Sequence, residues 1–296
     1  MIEDATARDF AAKLRAGDTV FVAGCFDAMS AMLAEKAGAP AVMTSGFAVS
    51  ATHLGFPDVE LYTMTENLTV VRNVVNAVGI PVVADTDTGY GNAINVMRTV
   101  REFEQAGVSA MIFEDQLAPK RCPAAANKVE LLSAYEHAGK IRAAIQARRN
   151  PDTIIIARTD APTEAEAIAR ARMYVEAGAD LVQPISKTFR DFDGLKRFRD
   201  AVGVPLSLQI LGWLETDLTP DQIRQVAGLA VFPLVGLMTA ARAMQDNYAR
   251  LMQDLGTARL PHPVMTMPDF KTFIGFEEVE ERQARFLVAD IQTGLA

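Results

Sequence analysis

Two aspartates that lie two residues apart, Asp85 and Asp87, stand where an apolar run breaks into a glycine-rich turn. Val82 to Ala84 suit a strand that is covered on both faces, so the two acids project together from its carboxyl end. Two like charges held this close need a cation, and oxygen ligands alone suit Mg²⁺, with Mn²⁺ as the alternative ion. The competing interpretation is that Asp87 caps the next helix while Asp85 pairs with an arginine.

The ends of other apolar runs offer further polar side chains. In a parallel barrel all carboxyl ends of the strands meet on one face, so these residues can share one site. The acids are expected on one rim with an arginine opposite, which suits a cation beside an anionic substrate. In chain order the candidates are Phe26, Asp27, Ser45, Gly46, Asp58, Asp85, Asp87, Glu114, Arg158 and Gln209.

A long polar and alanine-rich segment, Gln116 to Lys128, follows the Glu114 strand end. Long loops on this face of a barrel often cover the active site. It carries Lys120 and Cys122, and a thiol beside basic residues gives up its proton more easily, so Cys122 could exchange a proton near neutrality. Alternatively, Cys122 is only a small apolar filler.

The fold follows from a repeated pattern of helical stretch, small residue, glycine and short apolar run. Glycine accepts the left-handed conformation that ends a helix, so each pair predicts a helix end before a strand. These glycines are Gly38, Gly79, Gly107, Gly178, Gly203 and Gly228. Thr19 to Ala23 and Thr153 to Ala157 add two strands, which gives the eight of a TIM-type (β/α)₈ barrel. A doubly wound sheet is the alternative, although its glycine-rich phosphate loop is missing after the first strand.

The rest of the chain exceeds what a barrel needs. Residues 1–296 are predicted to form one barrel domain with a helical extension over residues 238–296. Helices are expected over Ala93 to Gln105, Glu164 to Glu176, Met238 to Leu255 and within Pro268 to Leu287. We expect the extension to pack across a neighbouring subunit; the alternative is that it folds back on its own barrel.

Composition and charge exclude several classes of protein. The 29 basic and 37 acidic residues give a net charge of −8 without a basic run, which argues against nucleic acid or an anionic membrane as partner. No signal peptide core and no long apolar run is present, so a cytoplasmic protein is expected. The two cysteines are expected to be free thiols. Of the three histidines, His137 and His262 are expected to be peripheral, and none is given a catalytic role.

Six ordered motifs between residues 8 and 286 resemble the isocitrate lyase/phosphoenolpyruvate mutase superfamily. The similarity is greatest to its short members, 2-methylisocitrate lyase and carboxyphosphonoenolpyruvate phosphonomutase. The motifs are Thr44 to Gly46, Leu54 to Asp58, Asp85 to Asn92, Phe113 to Gln116, Pro119 to Cys122 and Ala157 to Ala161.

The resemblance implies a Mg²⁺-dependent barrel that makes or breaks a C–C or P–C bond through an enolate held at the metal. A homotetramer with C-terminal helices swapped between subunits is also implied. By matching motif, Asp85 would contact the metal, and Asp58, Asp87 and Glu114 would hold its waters. Substrate would be held by Ser45, Gly46 and Arg158, and Lys120 and Cys122 would lie on the gating loop.

The sequence departs from this family away from the metal. Pro123 and Ala124 replace a Gly-His pair on the loop, Ile185 replaces a glutamate, and Gln209 and Gly212 replace Asn and Glu. A less polar pocket with Ile185 and Leu211 suggests a substrate with a smaller or more apolar distal group. Alternatively, neighbours such as Gln183, Lys187 or Trp213 take over these roles.

Three functions remain at this stage. The first is a lyase that cleaves a C–C bond of a 2-hydroxy or 2-oxo acid and releases pyruvate or a close relative. The second keeps the site but acts as a phosphonomutase, a phosphonopyruvate hydrolase or an oxaloacetate decarboxylase. The third is a barrel that binds an oxo acid without turning it over.

Overall fold

The computed structural model describes residues 4–122 and 129–287, and its centre is a closed barrel of eight parallel strands. Each strand pairs with the next along the chain, and β8 pairs with β1 to close the cylinder. This confirms the predicted (β/α)₈ fold. The strands are β1 (Val20–Cys25), β2 (Val42–Thr44), β3 (Val82–Asp85), β4 (Ala110–Glu114), β5 (Ile154–Thr159), β6 (Leu181–Pro184), β7 (Leu206–Gln209) and β8 (Ala227–Phe232).

Helices alternate with these strands, as the predicted fold requires. In the described residues they are α1 (Asp4–Ala16), α2 (Ala28–Lys36), α3 (Gly46–Val49), α4 (Met64–Ala77), α5 (Ala93–Ala106), α6 (Ala134–Ala147), α7 (Glu164–Glu176), α8 (Phe192–Val202), α9 (Trp213–Thr216), α10 (Pro220–Val226), α11 (Val235–Asp254), α12 (Met267–Phe273) and α13 (Phe276–Phe286). A π-helical turn spans Ser50–Leu54, and a 3₁₀ turn spans Ser186–Thr188. Among these helices, none combines the length and hydropathy that a membrane span needs.

The barrel interior is apolar at the amino ends of the strands. Val22, Val83, Ile112 and Ile156 point into one buried cluster, and Phe10 of α1 belongs to the same cluster. Burying side chains of this size stabilises the fold by about 1.5–3 kcal/mol each. Because this end is filled, polar side chains can gather only at the opposite face, where the strands end.

At four of the six predicted helix ends, the glycine adopts the expected left-handed conformation. Gly38, Gly107, Gly178 and Gly203 have φ values of 90°, 98°, 105° and 76°. Helices α4 and α10 also end just before Gly79 and Gly228, as predicted, but neither glycine has the expected positive φ. Gly228 lies inside β8, where a Cβ would stand 2.6 Å from the carbonyl oxygen of Leu14, so close packing rather than a turn requires glycine.

Two compact units divide the chain, Met1–Met238 and Thr239–Ala296. The first contains the barrel. In the second, the predicted helical region from Pro268 is split into α12 and α13 at Gly275, whose φ is 82°. None of the described residues of α11, α12 and α13 is buried.

Candidate active site

Asp85 is held at the end of β3 by main-chain donors. Its Oδ2 accepts a hydrogen bond from Gly46 N at 3.1 Å, and its Oδ1 accepts one from Asp87 N at 3.2 Å. The Asp85 carbonyl accepts a bond from Nδ2 of Asn67 at 2.9 Å. The competing interpretation of the two acids was therefore wrong, because the main chain fixes Asp85 and Asn92 caps α5.

Asp87 is fully buried and stands in a strained backbone conformation. Its φ is 50°, which costs a residue other than glycine about 1–3 kcal/mol. One oxygen, Oδ1, lies 2.5 Å from Nζ of Lys120, and the other accepts a hydrogen bond from the Tyr90 hydroxyl at 3.2 Å. The Tyr90 hydroxyl in turn accepts a bond from Asn67 at 2.7 Å, so α4 supports both acids.

Lys120 brings its ammonium group among three acids. Nζ lies 3.0 Å from Oδ1 of Asp58 and 3.9 Å from Oε1 of Glu114, besides its contact with Asp87. Burial alone would lower the pKa of Lys120, but the charges of Asp87, Glu114 and Asp58 outweigh it and raise the pKa well above its ordinary value. Lys120 therefore remains a cation.

The same acids have raised pKa values. Burial raises the pKa of Asp87 and of Glu114, and the nearby cations Lys120 and Arg158 only partly offset it. Crowded carboxylates resist ionisation in this way unless more positive charge is supplied.

The sequence predicted that Arg158 lies opposite the acids, and this was wrong. The structure places Arg158 among them. Its Nε and Nη2 donate to the two oxygens of Asp160 at 3.0 Å each, and its Nη1 lies 2.8 Å from Oε2 of Glu114. Burial of the guanidinium is outweighed by Asp160 and Glu114, so the pKa of Arg158 lies well above its ordinary value.

Several buried carboxylate oxygens in this cluster make ion pairs but no hydrogen bond of ordinary geometry within the described residues. They are Oδ1 of Asp58, Oδ1 of Asp87 and both oxygens of Glu114. Beyond these ion pairs, each oxygen can still accept a hydrogen bond from water or bind a further cation. The donor set, made only of oxygen atoms, fits a hard divalent cation.

Within the described residues, no three acidic, histidine or cysteine side chains come close enough to enclose a metal directly. Mg²⁺ usually keeps several of its waters and takes one or two carboxylates. The cluster therefore fits an ion that one acid holds directly and the others hold through water.

Gly46 lets the main chain approach the acids more closely than any other residue would allow. A Cβ at this position would stand 2.7 Å from the Tyr62 hydroxyl and 2.9 Å from Oδ2 of Asp85. Its neighbour Ser45 uses Oγ to cap α3, where Ala48 N donates to it at 3.5 Å. The short helix α3 thus begins against the acid cluster.

The remaining predicted residues lie in two other settings. Asp27 is the N-cap of α2 and accepts a hydrogen bond from Ser30 N at 2.7 Å, while Phe26 N donates to Oγ of Ser30. Gln209 Nε2 donates to Oε1 of Gln183 at 3.2 Å. The carboxylate of Asp27 is therefore engaged by its own helix.

Cys122 is buried, with 9% of its surface exposed. The two loop substitutions after it, Pro123 and Ala124, lie outside the described residues. The prediction that His137 is peripheral was wrong, because His137 is fully buried on α6 and packs edge-on against Tyr174 with 4.6 Å between ring centroids.

Sequence reasoning missed Glu60, Tyr62, Asn67 and Tyr90. Glu60 and Tyr90 share the unusual backbone of Asp87, with φ values of 58° and 60°. Tyr90 could have been found, because it belongs to the same glycine-rich turn. Asn67 could have been found as a polar residue on the apolar face of α4.

Comparison with known proteins defines the family. A family model described as phosphoenolpyruvate phosphomutase matches residues 10–252. The chain belongs to this family. It is therefore an enzyme of the isocitrate lyase/phosphoenolpyruvate mutase superfamily, as the motifs indicated, and its relatives include carbon–carbon lyases.

Three relatives illustrate the range of this family. The 2,3-dimethylmalate lyase of Eubacterium barkeri is 39% identical over 268 residues, which cover 88% of this chain and 91% of that protein. The 2-methylisocitrate lyase of Salmonella typhimurium is 35% identical and covers 92% of this chain and 94% of its own. A structure of phosphonopyruvate hydrolase with oxalate and Mg²⁺ has a TM-score of 0.86 at 30% identity, covering 96% of this chain and 100% of that one.

Proposed function

We propose that this enzyme is a Mg²⁺-dependent lyase that cleaves a C–C bond of a substituted malate or a related 2-hydroxy acid. The products are pyruvate, or a close relative, and a second carboxylic acid. The observation that carries this proposal is the cluster of buried carboxylates, several with oxygens that lack hydrogen bonds, beside the Arg158 guanidinium. The family and the similarity to 2,3-dimethylmalate lyase support the choice of bond.

The reaction balances without a redox partner. The C2 hydroxyl loses its proton, C2 becomes the carbonyl carbon of the 2-oxo acid, and the electrons of the C2–C3 bond move to C3. The carboxylate on C3 shares this charge, and a proton delivered to C3 completes the second product. When bound, Mg²⁺ (or Mn²⁺ in its place) supplies positive charge beside the substrate oxygens.

The acids of the cluster are proposed to bind the ion in two ways, directly or through its waters. In this proposal Asp85 contacts it directly, because main-chain donors already fix both Asp85 oxygens. The other three hold its waters, and these are Asp58, Asp87 and Glu114.

Other residues bind and protonate the substrate. Gly46 lets the main chain lie close to Asp85, and Ser45, Gly46 and Arg158 bind the substrate while Lys120 adds positive charge. Phe26, Asp27 and Gln209 remain proposed substrate contacts at the same face. Cys122, buried two residues after Lys120, is the proposed proton donor to C3, because a donor shielded from water limits side reactions.

The substrate's distal group is proposed to be small and apolar. Ile185 follows β6 directly, and its N–H donates to the Thr159 carbonyl at 3.0 Å, which fixes it beside the strand end that carries Arg158. Leu211 and Gly212 lie just after β7 and add no charge. A methyl-substituted malate suits such a pocket better than a tricarboxylate does.

A substrate panel tests the proposal. The protein with Mg²⁺ is incubated with malate, methyl-substituted malates and 2-alkylisocitrates, and the release of pyruvate and glyoxylate is measured. We expect the fastest release of pyruvate from methyl-substituted malates. No turnover across the panel would refute the lyase proposal.

A second candidate is supported by the similarity to phosphonopyruvate hydrolase. It is cleavage or rearrangement of a P–C bond, or decarboxylation of oxaloacetate, at the same cluster. Phosphorus NMR with phosphonopyruvate tests the P–C reactions, since only these release or move the phosphoryl group. Release of pyruvate and CO₂ from oxaloacetate tests the decarboxylation. The cluster argues against a third candidate, an oxo-acid-binding protein without turnover, because binding alone has less need of so many buried acids.

For the assembly, we propose a homotetramer that exchanges C-terminal helices between subunits and works in the cytoplasm. The support is that α11, α12 and α13 bury none of their described residues although they carry large apolar side chains. Met252, Phe276 and Phe286, for example, are 69%, 46% and 68% exposed. Light scattering after size exclusion tests it, and a monomer in solution would refute it.

A further inference from the structure

Glu60 connects two segments of the candidate active site. Its Oε2 accepts a hydrogen bond from the main-chain N–H of Lys120 at 2.9 Å. Its Oε1 accepts one from the Thr88 hydroxyl, in the turn that carries Asp87. Lys140 stabilises the same turn, because its Nζ donates a hydrogen bond to the Thr88 carbonyl at 2.9 Å. One carboxylate therefore ties the chain at Lys120 to the turn after β3.

Lys120 is thereby held at both of its ends by neighbouring residues. Its Nζ lies 3.0 Å from Oδ1 of Asp58, and its main-chain N–H donates to Glu60, which follows Asp58 by two residues in the chain. Contact with the ammonium alone would leave the main chain free to turn about the long side chain. The second contact removes this freedom, and so it also restricts Cys122.

The backbone at Glu60 is strained for a residue other than glycine. Its φ of 58° lies in the left-handed region, where glycine is unstrained and a glutamate is not. Glycine would adopt this backbone without strain, whereas the glutamate side chain contributes the hydrogen bonds to Lys120 and Thr88.

Loose packing before Lys120 makes this anchor more important. A cavity of about 510 Å³ and another of about 420 Å³ are both lined by Ala118 and Pro119. The main chain that leads into Lys120 thus borders open space, so packing alone restrains it weakly.

We propose that Glu60 is a positioning residue for the reaction. Its carboxylate fixes the Lys120 main chain against the Asp87 turn, and thereby sets where the Lys120 ammonium and the Cys122 thiol lie relative to the acids. This inference rests on the proposed lyase function for its catalytic part. The anchoring of Lys120 can be tested without turnover.

The experiment compares three variants of the full chain. Glu60→Gly removes the carboxylate and relieves the strained backbone, and Glu60→Gln keeps one acceptor oxygen of the same reach. Glu130→Gln is the matched control, because Glu130 makes the exposed pair with Arg121 at 3.3 Å in the same loop. For each protein, kcat and KM for the best substrate, the Tm and the amide hydrogen exchange of residues 117–122 are measured.

We expect Glu60→Gly to lower kcat about 10- to 100-fold with little change in KM, because the reacting groups lose their alignment. Its Tm should stay close to that of the wild type, because relief of the strained backbone offsets much of the cost of the two lost hydrogen bonds. Exchange at the Lys120 amide should be about 10-fold faster. Glu60→Gln should recover most of kcat, and Glu130→Gln should match the wild type.

A lower Tm with a parallel loss of turnover in both Glu60 variants would show a structural role and overturn the proposal. Unchanged exchange at Lys120 in Glu60→Gly would also overturn it. If the wild type turns over no substrate of the panel, the lyase function fails, while the exchange measurement still decides whether Glu60 anchors Lys120.

Discussion

Nζ of Lys120 lies 2.5 Å from Oδ1 of Asp87, and the two side chains are 2% and 0% exposed. This ion pair joins the segment after β4 to the turn after β3 in a region that solvent hardly screens. The ammonium therefore neutralises acids that a divalent cation also attracts. A divalent cation bound here, as proposed, would act on the same carboxylates as the lysine.

Lys120→Met should reduce stability when divalent cations are absent. Removing one partner of a buried ion pair leaves carboxylates uncompensated, which costs about 3–5 kcal/mol. Added Mg²⁺ should raise the Tm of the variant more than that of the wild type, because the ion then meets more uncompensated charge. Thermal unfolding in EDTA and in Mg²⁺ measures both effects, and an equal Mg²⁺ response in the two proteins would contradict this account.

If Asp85 is the direct ligand proposed above, Asp85→Asn should lower Mg²⁺ affinity and turnover by about 10²- to 10³-fold, because that site loses its carboxylate. The fold should persist, since an asparagine oxygen can still accept the hydrogen bond of Gly46 N. Calorimetric titration with Mg²⁺ gives the affinity. The control is Asp191→Asn, a helix cap outside the site that accepts a bond from Gly194 N at 2.8 Å. Full activity in Asp85→Asn would exclude the proposed metal site.

Cys122→Ala should lower kcat about 10²- to 10⁴-fold and leave Mg²⁺ binding unchanged, because a proton donor is lost while the acids stay in place. Cys25→Ala is the matched control, since Cys25 is the other described free cysteine and is also buried. Steady-state kinetics of the two variants provide the comparison. If both keep the wild-type kcat, Cys122 is a small apolar filler.

His137 should make the fold sensitive to acid. Burial, and then the charges of Lys140 and Arg170, lower the pKa of His137 to about 3. Between about pH 6.5 and pH 3 the unfolded chain binds a proton here that the folded chain does not. The free energy of unfolding should therefore fall by about 1.4 kcal/mol for each pH unit below 6.5, and this contribution is fully present above that pH.

The variant His137→Leu isolates this contribution. Between pH 7.5 and pH 5.5, the wild type should lose about 1.4 kcal/mol more of its free energy of unfolding than the variant does. Urea unfolding at the two pH values measures the difference. An equal loss in both proteins would mean that His137 is protonated in the folded state as readily as in the unfolded one.

The sequence predicted the barrel and the acid rim because both depend on local signals. Apolar runs such as Ile154 to Ile156 mark strands, and topology then places Asp85 and Glu114 on one face. His137 was misplaced because α6 is rich in alanine, and its pattern does not distinguish the buried face from the exposed one.

The partners of each charged group could not be predicted, because they depend on contacts between distant residues. Gly46 and Asp85 are 39 residues apart, and Lys120 and Glu60 are 60 apart. Arg158 shows a different limit: its partner Asp160 is only two residues away, but the sequence does not show which side-chain rotamers bring the two groups together.

A single methyl group at Gly46 would press on the Tyr62 hydroxyl and the Asp85 carboxylate at once. Gly46→Ala thus adds one methyl group at the centre of the candidate site, and overpacking of this kind costs about 1–3 kcal/mol. A cell that carried this substitution should therefore lose activity and part of the protein's stability together.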